Sequence, residues 1–309
     1  MIDFSGQCVV VTGAGRGMGR LYALELARRG ASVVVNDTGS TMGGAGVDAS
    51  VADEVVAEIE AAGGSASASC DSVATAAGGQ AIVDLALAEH GRLDAVISNA
   101  GILGSHPFDE LPADDWYRMV DVHLHGGFHV VQPAYRAMKE RGGGRFVFIS
   151  SSAGVFGQPN SAHYGAAKAG LVGLSNAIAV DGAEHGIRSN TVLPFGYSRM
   201  VWETLGESAS DPEVAGFFAA IAPERVVPVV VLLASDRCPV THHNVSAGAG
   251  RFARAFVGLG EGWLAADGEA TAEDVLANWE DVSATEPHTV PSSIFDEVAE
   301  LCARLGIAI

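Results

Sequence analysis

The sequence predicts an α/β protein built on a doubly wound parallel sheet. Three observations carry this expectation: short Val/Ile-rich runs recur along the chain, longer helical patterns separate them, and a glycine-rich turn joins the first run to the first helix. Of the 309 residues, 48% are apolar, enough for one large domain with a helical appendage.

Candidate strands fall at residues 8–11, 32–36, 66–69, 95–98, 146–150 and 188–192, with a last one near 244–247. Several are unbroken β-branched runs, such as Val9-Val10-Val11 and Val33-Val34-Val35, which suits strands covered by helices on both faces. Helical periodicity fills 18–29, 51–62, 75–90, 113–141 and 160–185 between them. After Gly260 the pattern changes. Thr271 to Asp274 read as a capping box opening a helix through Val275, Leu276 and Trp279, and a second helix after Pro291 puts Ile294, Val298, Leu301 and Leu305 on one face. The expected organisation is a main domain over 1–260 and a C-terminal helical extension over 261–309. The extension must bury its apolar sides on the main body or on a neighbouring subunit.

The formal net charge of −19 repels nucleic acid and anionic lipid, which leaves a small molecule as the expected partner. Cys8, Cys70, Cys238 and Cys302 lie far apart without paired spacing, fitting neither a zinc site nor a disulfide scaffold. No uncharged apolar stretch reaches the roughly 18 residues a membrane span needs, and the start MIDFSGQCVVV carries no export pattern. A reducing, cytoplasmic setting is expected.

The segment from Val9 to Arg20 holds the turn Thr12-Gly-Ala-Gly-Arg-Gly-Met-Gly19 between the first strand and the first helix. Gly13 allows a tight turn, Gly17 a close approach to a pyrophosphate, and Gly19 close helix packing, while the helix N-terminus offers oriented N–H groups. A dinucleotide is therefore expected against Gly13, Arg16, Gly17, Met18 and Gly19. Asp37, ending the second strand, would accept both ribose hydroxyls of NAD and repel the extra phosphate of NADP. Arg16 pulls the other way, as a contact for a 2′-phosphate or simply a solvated residue. NAD is the expected cofactor. Asp71 and Ser72 follow the third strand, where they reach the adenine or cap a helix, and Asn99-Ala100-Gly101 end the fourth.

Tyr164 and Lys168 stand at i, i+4 and share a helix face. A free phenol, with a pKa of about 10, is a poor base at neutral pH. A neighbouring ammonium stabilises the phenolate and bound nicotinamide adds positive charge; lowering the pKa by about three units takes roughly 4 kcal/mol. His125 and His129 share another helix face but gather no acidic or cysteine ligand, so no metal is expected.

These segments resemble the short-chain dehydrogenase/reductase family. Residues 12–19 match its TGxxxGxG turn, Asn99-Ala100-Gly101 its NAG motif, and Tyr164 with Lys168 its YxxxK pair; Ser151 stands thirteen residues before Tyr164, at the spacing of the family's serine. The resemblance implies a Rossmann-type oxidoreductase interconverting a secondary alcohol and a ketone. Ser151 would hold the substrate oxygen and Tyr164 would exchange its proton. Lys168 would hold the nicotinamide ribose, and Pro194 would be a further cofactor contact. It also implies a homo-oligomer, dimer or tetramer, paired through helices 113–141 and 160–185. His123 stands where the family usually has an Asn that holds a proton-relaying water.

Within the family the chain is more similar to the (3R)-hydroxyacyl-CoA dehydrogenase unit of peroxisomal multifunctional enzyme type 2, also a 17β-hydroxysteroid dehydrogenase. That group shares the His in VHLxG, the VVVND strand end, the P-x-x-x-S-R-M segment from Pro194 to Met200, and a tail like 273–298 here. The implied substrate is a (3R)-hydroxyacyl-CoA, with a sterol-derived acyl part as one form of it. A 17β-hydroxysteroid or other apolar alcohol is the alternative, and a non-catalytic NAD-binding sensor a distant one. Trp202, Phe217 and Phe218 would line an apolar pocket, and Arg199, Arg251 and Arg254 would meet CoA phosphates.

Overall fold

The computed structural model describes residues 1–196, 216, 219–266 and 268–307. Arg199, Trp202, Phe217 and Phe218, singled out above for the substrate, lie outside the described residues. The chain divides into two compact units, Met1–Arg254 and Ala255–Ile309.

The first unit carries β1 (Cys8–Thr12), α1 (Gly17–Arg28), β2 (Ser32–Asn36), α2 (Ser50–Ala61), β3 (Ser65–Ser69), α3 (Ala76–His90) and β4 (Ala95–Ser98). Then come α4 (Ala113–Val120), α5 (Gly126–Arg141), β5 (Gly144–Ile149), α6 (Ser152–Phe156), α7 (Ala162–Asp181), β6 (Ile187–Pro194), α8 (Val227–Ala234), β7 (Asn244–Gly248) and β8 (Arg251–Ala255). The strands form one sheet in the order β3-β2-β1-β4-β5-β6-β7-β8, and the pairs from β3 through β7 are parallel. The chain therefore runs outward from β1 to β3, then returns to place β4 on the other side of β1. That reversal opens a crevice at the carboxyl ends of β1 and β4.

The valine runs explain the layering. Side chains alternate along a strand, so Val9 and Val11 join one core with Leu26, Val33, Ile59 and Val230, while Val10 joins the other with Ile82, Phe146 and Leu171. Both sides are apolar because helices cover both.

The structure changes several expected boundaries. The single helix expected over 113–141 is two, joined by a π-helical turn, Asp121–His125, that puts His123 in the core and leaves His125 exposed. The helix expected over 160–185 spans 162–181, since Asn160 adopts a positive φ of 56° that helix backbone does not allow. The run VPVVVLLA is a helix, α8, with Pro228 in its first turn and its neighbours buried against α1. In the second unit Thr271 and Asp274 form the capping box of a helix over Ala272–Ala277, which breaks at Asn278 before a short turn, Trp279–Val282. A last helix spans Ile294–Arg304. Every described residue from Ala255 onward is at least partly exposed.

Candidate active site

The crevice is lined from one end to the other by the glycine turn, Asp37, Asp71, the Asn99 strand end, and the Tyr164 helix. At its floor Thr12 ties two strands together. Its hydroxyl accepts the backbone N–H groups of Asn99 (3.0 Å) and Ala100 (3.1 Å), and Asn99 Nδ2 donates to the carbonyls of Thr12 (3.0 Å) and Gly13 (3.1 Å). Gly13 has φ +63°, and a Cβ there would lie 2.8 Å from Ala100 Cα. A Cβ at Gly19 would collide with the Gly13 carbonyl, so α1 can start this close to β1 only with glycine. Gly17, with φ +55°, faces open space. The turn thus leaves the backbone at Gly17, where α1 starts, open to the crevice, the surface an anionic pyrophosphate needs.

Asp37 is fixed by two backbone donors: Gly15 N–H to Oδ2 (2.9 Å) and Gly39 N–H to Oδ1 (2.8 Å). Each carboxylate oxygen keeps further acceptor capacity toward the crevice. Arg16 is exposed and its guanidinium donates to the Ser40 carbonyl at 3.3 Å. Residues 38–48 fold over the crevice as a strap, with Thr38, Ser40, Thr41, Met42 and Gly44 on its lining, and the Leu103 N–H donates to the Met42 carbonyl at 2.9 Å. Asp71 accepts from the Ser69 hydroxyl at 2.9 Å, and the cap of α3 is Thr75, whose hydroxyl accepts from Gly78 N–H. Asp71 is thus a crevice residue and not a helix cap; Ser72, Met18 and Pro194 also line the crevice.

At the far end Lys168 is buried, 4% exposed, and its Nζ donates to the Ile149 carbonyl at 2.7 Å. Burial pulls its pKa down to about 7. Its Nζ stands 5.6 Å from the centre of the Tyr164 ring. Burial pushes the Tyr164 phenol up, opposed by the hydroxyl of Ser151. A lysine near 7 exchanges protons readily at neutral pH. Ser151 caps α6, accepting from Ala153 N–H at 3.1 Å.

His123 completes this end. Its ring meets that of Tyr164 edge-on, with centroids 5.4 Å apart. Gly101 makes room for it, since a Cβ there would strike His123 Cε1. Its Nε2 lies 3.0 Å from the Ile102 N and 2.9 Å from the Ile102 O, while Nδ1 is buried without a partner. Burial first, then Lys168, holds the ring well below the usual histidine range, so it is neutral. The other histidine pair diverges. His125 Nδ1 meets Asp121 at 2.8 Å, an acidic neighbour the sequence reading overlooked, whereas His129 Nδ1 donates to the Val73 carbonyl at 2.9 Å. Arg251 and Arg254 are exposed on β8, and neither lines the crevice.

The sequence reading missed Thr12, although it lies inside the recognised turn, and it gave Gly15 no role. A Cβ at Gly15 would strike Val51. The signal for Thr12 was its place at the end of a buried strand, where only a side chain can supply acceptors for the neighbouring strand's last amides.

The model of the short chain dehydrogenase family matches residues 7–207. The chain belongs to that family. It is 41% identical over 275 residues to a short-chain type dehydrogenase/reductase of Mycobacterium tuberculosis, covering 89% of this chain and 93% of that one. It is 39% identical over 301 residues to peroxisomal multifunctional enzyme type 2 of mouse, covering 94% of this chain and 39% of the mouse enzyme. The structure of full-length peroxisomal multifunctional enzyme type 2 from Drosophila melanogaster superposes with a TM-score of 0.80 at 30% identity, over 99% of this chain and 50% of that one. The chain thus spans half or less of these multifunctional enzymes, and it is an oxidoreductase of the short-chain type, acting on hydroxyl groups. No helix among the described residues is long and apolar enough to cross a membrane.

Proposed function

We propose that this chain is an NAD-dependent dehydrogenase that interconverts a (3R)-hydroxyacyl-CoA and its 3-ketoacyl-CoA. The observation that carries the reaction is the placement of Tyr164 and Lys168 on one face of α7, at the end of a crevice whose other end is the glycine turn. The residues fit a nicotinamide dinucleotide. Gly13, Gly17 and Gly19 with the N-terminus of α1 would hold its phosphates, Asp37 the adenosine ribose, and Lys168 the nicotinamide ribose. Bound there, it supplies the acceptor for a hydride. Asp37 opening on the crevice, and Arg16 engaged with Ser40, support NAD over NADP.

The chain's own residues manage the proton. Ser151 holds the substrate oxygen beside the Tyr164 phenol. Tyr164 takes the hydroxyl proton as it gives up its own phenolic proton toward Lys168, while the C–H electron pair departs as hydride and the carbonyl forms. Lys168, poised near 7, accepts the proton in turn, and His123 stands at its side. Reduction runs the same steps backwards. The thioester substrate is supported by the similarity to the multifunctional enzymes along nearly the whole chain. The long helices α5 and α7 suit the pairing surface of a homo-oligomer, and a cytoplasmic setting fits the unpaired cysteines.

The test is absorbance at 340 nm with NAD and, separately, NADP, offering a (3R)-hydroxyacyl-CoA and a 17β-hydroxysteroid. Turnover of the thioester with NAD is expected. Turnover of the steroid alone would move the substrate and keep the mechanism, and a preference for NADP would overturn the role given to Asp37.

A further inference from the structure

We propose that the proton released in the oxidation travels from Lys168 to solvent along three imidazoles, His123, His163 and His106, ending at Asp115. This rests on the dehydrogenase reading and concerns the route of one proton within it. Oxidising the alcohol removes a hydride from carbon and a proton from oxygen. Tyr164 takes that proton, and it must reach water before the next turnover; in reduction it must come back.

The first observation is a concentration of unmet hydrogen-bonding capacity. Among the described residues five buried side-chain polar atoms have no partner: Tyr22 Oη, Asn176 Oδ1, His123 Nδ1, and both ring nitrogens of His163. Buried polar atoms are rarely left so, and a cluster of them calls for an explanation. Three of the five belong to two histidines beside the Tyr164–Lys168 pair. His163 directly precedes Tyr164 on α7 and is 1% exposed. With neither nitrogen committed, its ring can accept a proton on one side and release one from the other.

The second observation is the setting of His123. With Nδ1 protonated, its Nε2 accepts from the Ile102 N–H at 3.0 Å; with Nε2 protonated, it donates to the Ile102 carbonyl at 2.9 Å. Both tautomers keep a partner at Nε2. Nδ1 can therefore be acceptor or donor while Nε2 exchanges one Ile102 backbone partner for the other, the property needed to hold a bridging water in either orientation as protons pass.

The third is continuity to the surface. The stretch Gly101-Ile102-Leu103-Gly104 backs onto both rings: Gly101 makes room for His123, and a Cβ at Gly104 would lie 3.0 Å from His163 Nε2. The His163 ring stands 6.0 Å from that of His106, edge-on. The side chain of His106 is 32% exposed, and its Nε2 meets Asp115 Oδ2 at 2.8 Å. The ionisable groups facing this route are few. Lys168 and His163 on α7 face His123, His106 and Asp115 face His163, and Arg118 on α4 pairs with the other oxygen of Asp115. Burial keeps His163, like His123, below the usual histidine range, so the rings rest neutral and carry charge only in passing.

His163 touches no reacting atom, so its test reads proton movement. Oxidation of (3R)-hydroxydecanoyl-CoA by NAD would be followed by stopped flow at 340 nm, with a pH indicator in weak buffer, for the unsubstituted chain, H163L and H106L. In H163L we expect kcat to fall about tenfold with KM unchanged, below the usual contribution of direct acid–base groups. The effect of D2O on kcat should grow, proton appearance should lag NADH, and added imidazole should restore part of the rate. H106L should shift the same readouts in the same direction from the exposed end, and it serves if H163L does not fold. A folded H163L or H106L with unchanged kcat, D2O effect and proton release overturns the route alone. No NADH from the unsubstituted chain with this thioester or with a 17β-hydroxysteroid overturns the dehydrogenase reading and the route together.

Discussion

Replacing Lys168 by Met removes the ammonium and keeps a stem of similar length, which turns the burial of this lysine into a measurable stability. The displacement of its pKa from 10.5 to about 7 corresponds to roughly 5 kcal/mol against the charged form in the folded chain. Between about pH 7 and 10.5 the unfolded chain holds a proton that the folded chain has shed, so stability rises with pH across that window. Below pH 7 both states are protonated and the whole penalty is present. Met carries no such penalty but leaves the Ile149 carbonyl without its 2.7 Å donor, a loss of about 1 to 2 kcal/mol. Lys168→Met is therefore expected to be more stable than the unsubstituted chain by about 3 kcal/mol at pH 6, the advantage shrinking to under about 1 kcal/mol at pH 9. Urea unfolding at pH 6.0, 7.5 and 9.0, without dinucleotide, measures both values, and turnover should be lost throughout. A variant less stable at pH 6, or a gap that does not narrow as pH rises, would refute the reasoning.

Tyr164→Phe keeps the ring against His123 and removes the proton acceptor, so turnover should fall by a factor of about 10² to 10⁴ while NAD binding, read by titration calorimetry, is kept. Asp37→Ser removes the charge proposed to meet the ribose and frees the Gly15 and Gly39 amides; the KM for NAD should rise about tenfold or more and the expected preference over NADP should collapse, both read at 340 nm. Cys8 is buried, and burial with Asp94 nearby pushes its thiol up to about 12, whereas Cys70 is exposed. Iodoacetamide at pH 8 should label Cys70 within minutes and leave Cys8 unmodified in the folded chain, as peptide mass spectrometry would show.

What was legible in the sequence was whatever depends on local pattern. The valine runs of β1 and β2 gave the sheet, Thr271-Ala-Glu-Asp274 gave its capped helix, and i, i+4 spacing gave the shared face of Tyr164 and Lys168. The run VPVVVLLA carries no polar residue, even at the exposed Pro228, so no polar face marks a helical period and its helical state could not be read. Thr12 looked like one letter of a glycine turn, and its bonds to Asn99 and Ala100 span more than eighty residues. The π-helical turn at His123 depends on packing between segments distant in sequence, and so does the burial that shifts Lys168 and Tyr164. Local spacing names the groups of a site; their protonation is set by what surrounds them.

The strap over residues 38–48 reaches the other side of the crevice through the bond from Leu103 N–H to the Met42 carbonyl. On the proposed function, a dinucleotide seated beneath the strap would leave as that bond breaks, and each opening would expose the Leu103 amide to solvent. The deuterium uptake of this single amide is therefore a clock for residence of the cofactor. It should tick at the rate of strap opening in the free chain and slow in proportion to occupancy when NAD is added, with no turnover needed.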